Sequence, residues 1–139
     1  MSGLSRCRLE IHGAPLTLHL TNISLCTILS GPVSSSVMVD TCSSSSLVLS
    51  CQQLRTHSTS DTDIYLHTTA KAILEDCRGI RVAPYNWEYP GADQDYSVAG
   101  LDRSINNWEH IGDFNWLSTD VPSPNWTILQ EGERKQSWN

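Results

Sequence analysis

The chain has 139 residues, of which 39% are hydrophobic and 17% are charged, and its formal net charge is −6. This length fits one domain with a modest core and leaves no room for a second independent domain. The acidic balance excludes the basic face that nucleic-acid binding requires, and no apolar stretch approaches the roughly 18 residues of a membrane-spanning helix. Because the N-terminus lacks a signal-peptide pattern, we expect a soluble, cytosolic protein.

The acidic excess lies in the C-terminal part of the chain. Residues 1–83 contain six basic and six acidic side chains, whereas residues 84–139 contain three basic and nine acidic ones. Such a region either promotes solubility or faces a basic partner, and we favour solubility.

Five cysteines form no Cys-x-x-Cys pair and have no His-x3–5-His partner: Cys7, Cys26, Cys42, Cys51 and Cys77. This spacing argues against a zinc site or a redox pair, so no metal site is predicted. We interpret the cysteines as reduced residues in the core or in stacked turns.

Short aliphatic or β-branched segments separated by Gly, Pro, Ser, Asn or Asp extend from residue 4 to residue 83. The predicted strands are 8–11, 16–20, 26–29, 37–39, 47–49, 54–57, 64–67, 72–74 and 80–82. Leu9 and Ile28, like Leu18 and Val37, are nineteen residues apart, and the later segments keep a looser version of this period. A period near twenty in short strands predicts an all-β fold, a right-handed parallel β-helix over residues 4–83.

Two serine runs interrupt the repeat, at residues 34–36 and 43–46. Such runs are often flexible linkers, but these are short and are flanked directly by predicted strands. We therefore favour corners of the coils, where hydroxyl groups can bond to the neighbouring backbone.

Residues 84–139 differ in composition, because aromatic side chains replace the aliphatic segments and prolines make long regular elements improbable. Residues 107–111 could form one helical turn. We predict an irregular tail that packs on the β-helix through its aromatic side chains and caps an open edge. An aromatic patch that faces a partner is the alternative.

The segment 51–57 contains the strongest candidate for chemistry. In a strand, residues two apart share a face, so Gln53 and Arg55 would project together while Leu54 points the other way. A guanidinium can neutralise charge on a transferring phosphoryl group, and a neighbouring amide can orient the attacking water. This is the outline of an arginine finger, although most exposed arginines are solvated surface residues. His57 follows on the same face and could support the guanidinium or contact a partner.

Two further arginines, Arg78 and Arg81, could extend a basic contact strip for the partner. Ion pairing with Glu75 or Asp76 is the simpler account of both.

A self-contained catalytic centre is not predicted. The sequence has no nucleophile-elbow pattern, no Gly-rich phosphate loop followed by Lys and no helical His-Glu-x-x-His, and its lysines are only Lys71 and Lys135. An arginine that is supplied to a partner's active site needs none of these features.

Together with the strand period and the aromatic tail, several motifs resemble the C-terminal domain of the tubulin-binding cofactor C family, the C-CAP/cofactor C-like domain. They are Gln52-Gln53-Leu54-Arg55-Thr56-His57 and the segments 64–67, 72–77, 83–85, 100–104, 106–108, 113–117 and 123–126. The resemblance covers nearly the whole sequence, so the domain is assigned to residues 1–139, and many matches in one order make this signal far more specific than a Gln-x-Arg pair alone.

The resemblance implies a parallel β-helix that stimulates a GTPase through an inserted arginine. In cofactor C the partner is β-tubulin in complex with tubulin cofactors D and E, in the cytosol and at the microtubule cytoskeleton. A relative acts on an Arf-like small GTPase with a glutamine two residues before its arginine. By this motif Arg55 is the arginine finger and Gln53 positions the water, while GTP and Mg²⁺ belong to the partner, so no cofactor of its own is expected.

Two further points follow from the same resemblance. A non-catalytic scaffold or binding module is the alternative function, because other members of the superfamily bind partners without acting on a nucleotide. The N-terminal helical, spectrin-like segment of the family and a myristoylation signal are not found in this sequence.

Overall fold

The computed structural model describes residues 2–116, 118 and 120–138, so Leu117, part of one motif above, lies outside the described residues. The strands are β1 Ser2–Ser5, β2 Arg8–Ile11, β3 Thr17–Ser24, β4 Thr27–Ser43, β5 Ser46–Thr68, β6 Ala72–Glu75, β7 Arg78–Pro84, β8 Ile111–Asp113 and β9 Trp126–Ile128. The helices are α1 Ala92–Ala99 and a 3-10 turn at Glu131–Glu133. In this described part of the chain, no helix is long and apolar enough to cross a membrane.

The strands stack in parallel, coil upon coil. Leu18 lies opposite Val37, at the nineteen-residue offset predicted from the sequence. The offset then shortens to 17 between Asp40 and His57. This shortening coincides with irregularities in the pairing of β4 with β5. The predicted parallel β-helix with a tail packed on it is therefore confirmed.

Two left-handed backbone positions make the sharp corners in each coil up to residue 79. The first set is Gly3, Asn22, Thr41, Ser58 and Asp76, and the second set, three residues further on, is Arg6, Leu25, Ser44, Asp61 and Gly79. This conformation costs most residues roughly 1–2 kcal/mol, and Gly, Asn and Asp adopt it most readily. At Gly79 a Cβ would lie 2.6 Å from Oδ1 of Asp61 on the coil below, so a side chain would also clash there.

The two serine runs occupy different positions in the coil. Ser44 is a corner residue, and the hydroxyl of the adjacent Ser45 accepts a hydrogen bond from the Cys26 amide and donates one to the Ser43 carbonyl. The run at residues 34–36 lies inside β4, beside one of the irregularities in its pairing with β5.

Inward-facing aliphatic side chains fill the coil interior. Four of the five cysteines are buried there, and desolvation raises the pKa of the Cys51 thiol to about 12. Cys7 is exposed at the first coil. All five are free thiols, as expected for reduced residues.

A second core lies between the outer face of one sheet and the tail. Leu29, Val48, Tyr65 and Ala83 point outward from successive coils and are nevertheless buried. The tail residues that cover them are Tyr85, Trp87, Tyr89, Ala92, Leu129 and Trp138. Most of the tail's aromatic rings are thus anchors on the β-helix.

The tail contains more regular structure than the sequence predicts. Helix α1 begins and ends at glycines with positive φ, Gly91 and Gly100. The segment 107–111 forms one hydrogen-bonded turn from Asn107 to His110 and then enters β8. Because β8 pairs with β6 and β9 pairs with β7, the coils continue beyond residue 83.

Leu129→Ala tests whether the tail belongs to the cooperative fold. Leu129 is 1% exposed and lies in the second core, so we expect its truncation to lower the free energy of unfolding by about 2–5 kcal/mol. Ile128→Ala, at a position that is 39% exposed, is the matched control and should cost clearly less. Urea unfolding measures both, and equal losses would contradict a second core.

Candidate functional site

Arg55 lies in the middle of an outward-facing ladder. His19, Met38, Arg55, Ile73 and Gly112 lie opposite one another on successive coils. Arg55 is exposed, and its immediate neighbours in the ladder are apolar. Because β4 and β6 both pair with β5 at Arg55, the backbone that carries the guanidinium is held on both sides.

The three residues predicted to share a face do so. Leu54 and Thr56 are 1% and 2% exposed and point into the coil, so Gln53, Arg55 and His57 project outward. Gln53 is half-buried, Arg55 is exposed and His57 is half-buried. Period-two alternation thus places one guanidinium between an amide and an imidazole.

A groove of about 290 Å³ surrounds Arg55. Its apolar lining is Met38, Ile73 and Phe114, and the first and last of these are 44% and 55% exposed. Its polar lining includes Asp40, His57 and Glu75. Exposed apolar side chains beside a cation are typical of a surface that a partner covers.

No described residue forms an ion pair or a side-chain hydrogen bond with the Arg55 guanidinium. Two features of the coil explain this. Met38 and Ile73, next to Arg55 in its ladder, have no charge to offer. The carboxylates of the adjacent ladder contact His57 instead.

His57 is paired with acidic side chains of its own chain. Nδ1 lies 3.0 Å from Asp40, and Nε2 lies 3.4 Å from Asp76 and 3.8 Å from Glu75. The hydrogen bond to Asp40 is the main cause that raises the pKa of His57, and the same bond lowers the pKa of Asp40. When His57 is protonated, it offsets part of the negative charge next to Arg55.

Ligand atoms of His57, Glu75 and Asp76 lie within 4.8 Å of one another, a spacing that could hold a cation. Pairing between the imidazolium and the carboxylates accounts for this arrangement without one. The absence of a metal site stays a prediction.

The two glutamines of the motif differ in their surroundings. Gln53 lies opposite Ser36 in the ladder next to Arg55 and is half-buried. Gln52 is exposed, and its carbonyl accepts hydrogen bonds from the Ala70 amide and the Thr68 hydroxyl at the end of β5.

Arg81 and Arg78 lie away from this groove. Two corners of the coil separate the ladder of Arg55 from that of Arg81, so Arg81 lies on another face. It pairs with Asp63 at 2.8 Å and with Glu133 at 2.9 Å, not with the acidic residues named from the sequence. Arg78 is exposed near a corner, opposite Ser60, and no described residue forms an ion pair with it. Arg78 and Arg81 therefore form no continuous basic strip with Arg55 in the described part of the chain.

The three apolar groove residues were not identified from the sequence. Met38 and Ile73 could have been found, because they lie one coil below and one coil above Arg55. Phe114 carries no such signal, because it follows the short strand β8 in the tail.

Asp40→Asn tests the electrostatics of the His57 cluster. We expect the pKa of His57 to fall toward its ordinary value of 6.5, because the largest stabilising contact of the imidazolium is removed. A raised folded-state pKa means that this contact stabilises the fold fully below pH 6.5 and is lost as the pH rises through the folded value. NMR titration of His57 measures the shift.

Asp93→Asn is the control for that titration, because Asp93 pairs with Arg103 on the tail. An unchanged His57 titration in Asp40→Asn would show that the pairing does not persist in solution.

Comparison with known proteins identifies the family of the chain. A model of the family "Tubulin binding cofactor C" matches residues 1–114. Tubulin-specific chaperone C of Homo sapiens is 52% identical and that of Bos taurus 50% identical over all 139 residues, which span 40% of the length of each relative. The solved structure of tubulin binding cofactor C from Leishmania major has a TM-score of 0.82 and 21% identity, covers 99% of this chain and 90% of its own, and shows the same fold. The chain belongs to the tubulin binding cofactor C family.

Proposed function

We propose that this chain is a GTPase-activating domain of a tubulin-folding cofactor, which supplies Arg55 in trans to β-tubulin during assembly of the αβ dimer. The observation that carries the proposal is the exposed Arg55 on a strand that is paired on both sides, without a carboxylate partner for its guanidinium among the described residues. The tubulin assignment rests on the names of the relatives, which are tubulin-specific chaperones. GTP, Mg²⁺ and the attacking water belong to the partner, so the chain is not itself an enzyme.

The surroundings of Arg55 suit this chemistry. An arginine finger stabilises charge that develops on the γ-phosphate and on the bridging oxygen. Apolar neighbours such as Met38 and Ile73 would exclude water once a partner covers the groove, and a lower local dielectric strengthens the charge interaction. Because the strand is already held on both sides, only side-chain freedom is lost on insertion.

Gln53 is proposed to position the water or the nucleotide. Gln53 lies two residues before Arg55 on the same outward face, at the next outward position of the strand. An amide orients a nucleophile but carries no charge, so its contribution should be smaller than that of the arginine.

The groove is proposed to receive the partner's surface next to its nucleotide site. Phe114 and Met38 offer exposed apolar area, and Asp40 and Glu75 offer negative charge at the edge. A complementary partner surface would present an apolar side chain beside a basic one. Cofactors D and E are proposed to present tubulin to this face.

Arg55→Ala tests the central claim. We expect stimulation of GTP hydrolysis by tubulin, in the presence of cofactors D and E, to fall by about 10³–10⁵-fold, because the charge stabilisation is lost. Binding of the partner should change little. Single-turnover release of phosphate measures the rate, and circular dichroism verifies the fold.

Arg78→Ala is the matched control, because it removes an exposed arginine outside the groove. Gln53→Ala should reduce the stimulation of GTP hydrolysis less than Arg55→Ala does. Gln52→Ala should reduce it less than Gln53→Ala does. Equal stimulation by wild type and Arg55→Ala would refute the finger. Tubulin binding without any change in GTP hydrolysis would favour the scaffold function. Stimulation of an Arf-like GTPase but not of tubulin would identify that GTPase as the partner.

Phe114→Ala separates docking from chemistry. We expect the concentration of this chain that gives half-maximal stimulation to rise about tenfold, because an exposed apolar anchor is lost, while the maximal rate stays unchanged. Val98→Ala is the control, since Val98 is 70% exposed on α1 and does not line the groove. A fall in maximal rate with unchanged half-saturation would contradict a docking role.

A further inference from the structure

A buried histidine connects the end of β5 to the tail. His67 is 4% exposed, and both of its ring nitrogens have partners. Nδ1 lies 2.7 Å from the Ser50 hydroxyl, and Nε2 lies 2.9 Å from the Ile105 carbonyl and 3.1 Å from the Asp102 carbonyl. Ser50 belongs to the coil, whereas the two carbonyls belong to the tail.

The partners of His67 fix where its proton lies. Carbonyl oxygens only accept hydrogen bonds, so Nε2 must carry the hydrogen. In the neutral ring Nδ1 is then an acceptor, and the Ser50 hydroxyl must donate to it. The Tyr96 hydroxyl in turn donates to the Ser50 oxygen at 2.7 Å. In the neutral form every member of this chain of hydrogen bonds has a partner, whereas a protonated Nδ1 would force the Ser50 hydroxyl to reorient.

The tail segment held by His67 makes further bonds to the same strand end. The Thr68 amide donates to Oδ1 of Asn106, and Nδ2 of Asn106 donates to the Leu66 carbonyl. The Asn107 amide donates to the Thr68 carbonyl at 2.8 Å, and Nδ2 of Asn107 donates to the Thr69 carbonyl. Residues 102–107, which we name the latched segment, thus lie along the end of β5.

Several charged or titratable groups surround His67. Arg103 lies with its guanidinium 4.1 Å from the centre of the Tyr96 ring and pairs with Glu88 and Asp93. Burial is the main cause that lowers the pKa of His67, and Arg103 lowers it further, while the carbonyl bonds and Asp102 oppose this. Near Tyr96 the hydroxyl of Tyr85 donates to the Ser30 carbonyl. His110 bonds to Oδ1 of Asn107 on the outer side of the segment.

We propose that His67 is a pH-sensitive latch, which holds residues 102–107 of the tail against β5 when its ring is neutral and releases them when Nδ1 takes up a proton. Protonation turns Nδ1 from an acceptor into a donor. The Ser50 hydroxyl then loses the atom to which it donates, and a charge is buried beside Arg103. Opening of the segment exposes the ring to water and relieves both costs.

The direction of the pH effect follows from the lowered pKa. In the open form His67 titrates near its ordinary value of 6.5, and in the latched form it titrates below that value. The latch is therefore stable above pH 6.5, and opening becomes easier as the pH falls from 6.5 to the latched value. Because the segment runs into Trp108 and β8, which Phe114 follows, opening would also loosen the tail wall of the groove.

Hydrogen exchange of the 139-residue chain tests the latch. The Asn107 and Thr68 amides report opening of the segment, and the Leu54 amide reports unfolding of the coil. After correction for intrinsic exchange rates, we expect protection of the first two to fall by up to about tenfold for each pH unit below 6.5. Protection at Leu54 should change much less. A uniform fall at all three amides would overturn a local latch.

Two variants separate His67 from the other histidines. In His67→Gln the amide keeps a donor for the carbonyls and an acceptor for Ser50 but cannot titrate, so protection should become independent of pH. His110→Gln should retain the pH dependence of the wild type. If His110→Gln removes that dependence and His67→Gln does not, the proposal is wrong.

NMR of the wild-type imidazole keeps the proposal testable if His67→Gln fails to fold. We expect Nε2–H and an unprotonated Nδ1 at neutral pH, and a titration midpoint below 6.5. The opposite tautomer, or a midpoint above 6.5, would overturn it.

Discussion

Parallel stacking of the coils in register is the constraint on which the rest of the structure depends. Two left-handed positions turn the chain in each coil up to residue 79, and the parallel register gives each outward position of an inner coil a counterpart one coil above and one coil below. A side chain is then surrounded by residues 17 to 19 positions away in the sequence. Among the described residues Arg55 has no ion-pair partner, because these counterparts, Met38 and Ile73, carry no charge.

The same stacking divides the surface of the β-helix into a covered face and an open one. Outward aliphatic side chains such as Leu29 and Val48 form an apolar face, and the tail buries it. Burial avoids the free-energy cost of exposing this apolar surface to water. The face of Arg55 is mixed, with a cation, carboxylates and isolated apolar side chains, so it can stay exposed. The tail reaches this face with Phe114, which makes the groove a product of both parts of the chain.

The features that could be predicted from the sequence are those that follow its strand repeat and the period-two alternation within strands. The coils, the inward aliphatic columns and the shared face of Gln53, Arg55 and His57 all follow from offsets that can be counted along the chain. Strands β8 and β9 were missed, because each is three residues long and lies among aromatic and proline residues without a repeat. The pairing of Arg81 with Glu133 spans 52 residues and depends on the path of the tail, as does the position of Phe114.

His57 and His67 respond to protons in opposite directions, for one physical reason. Each histidine is held in the form that its partners can accept. The partners of His57 are carboxylates that accept hydrogen bonds and carry negative charge, so its charged form is favoured and its pKa rises above 6.5. His67 meets the Ser50 hydroxyl in a buried site that favours the neutral form, so its pKa falls below 6.5. The stabilisation from the His67 contacts is therefore lost as the pH falls below 6.5, and that from the charged form of His57 is lost as the pH rises above it.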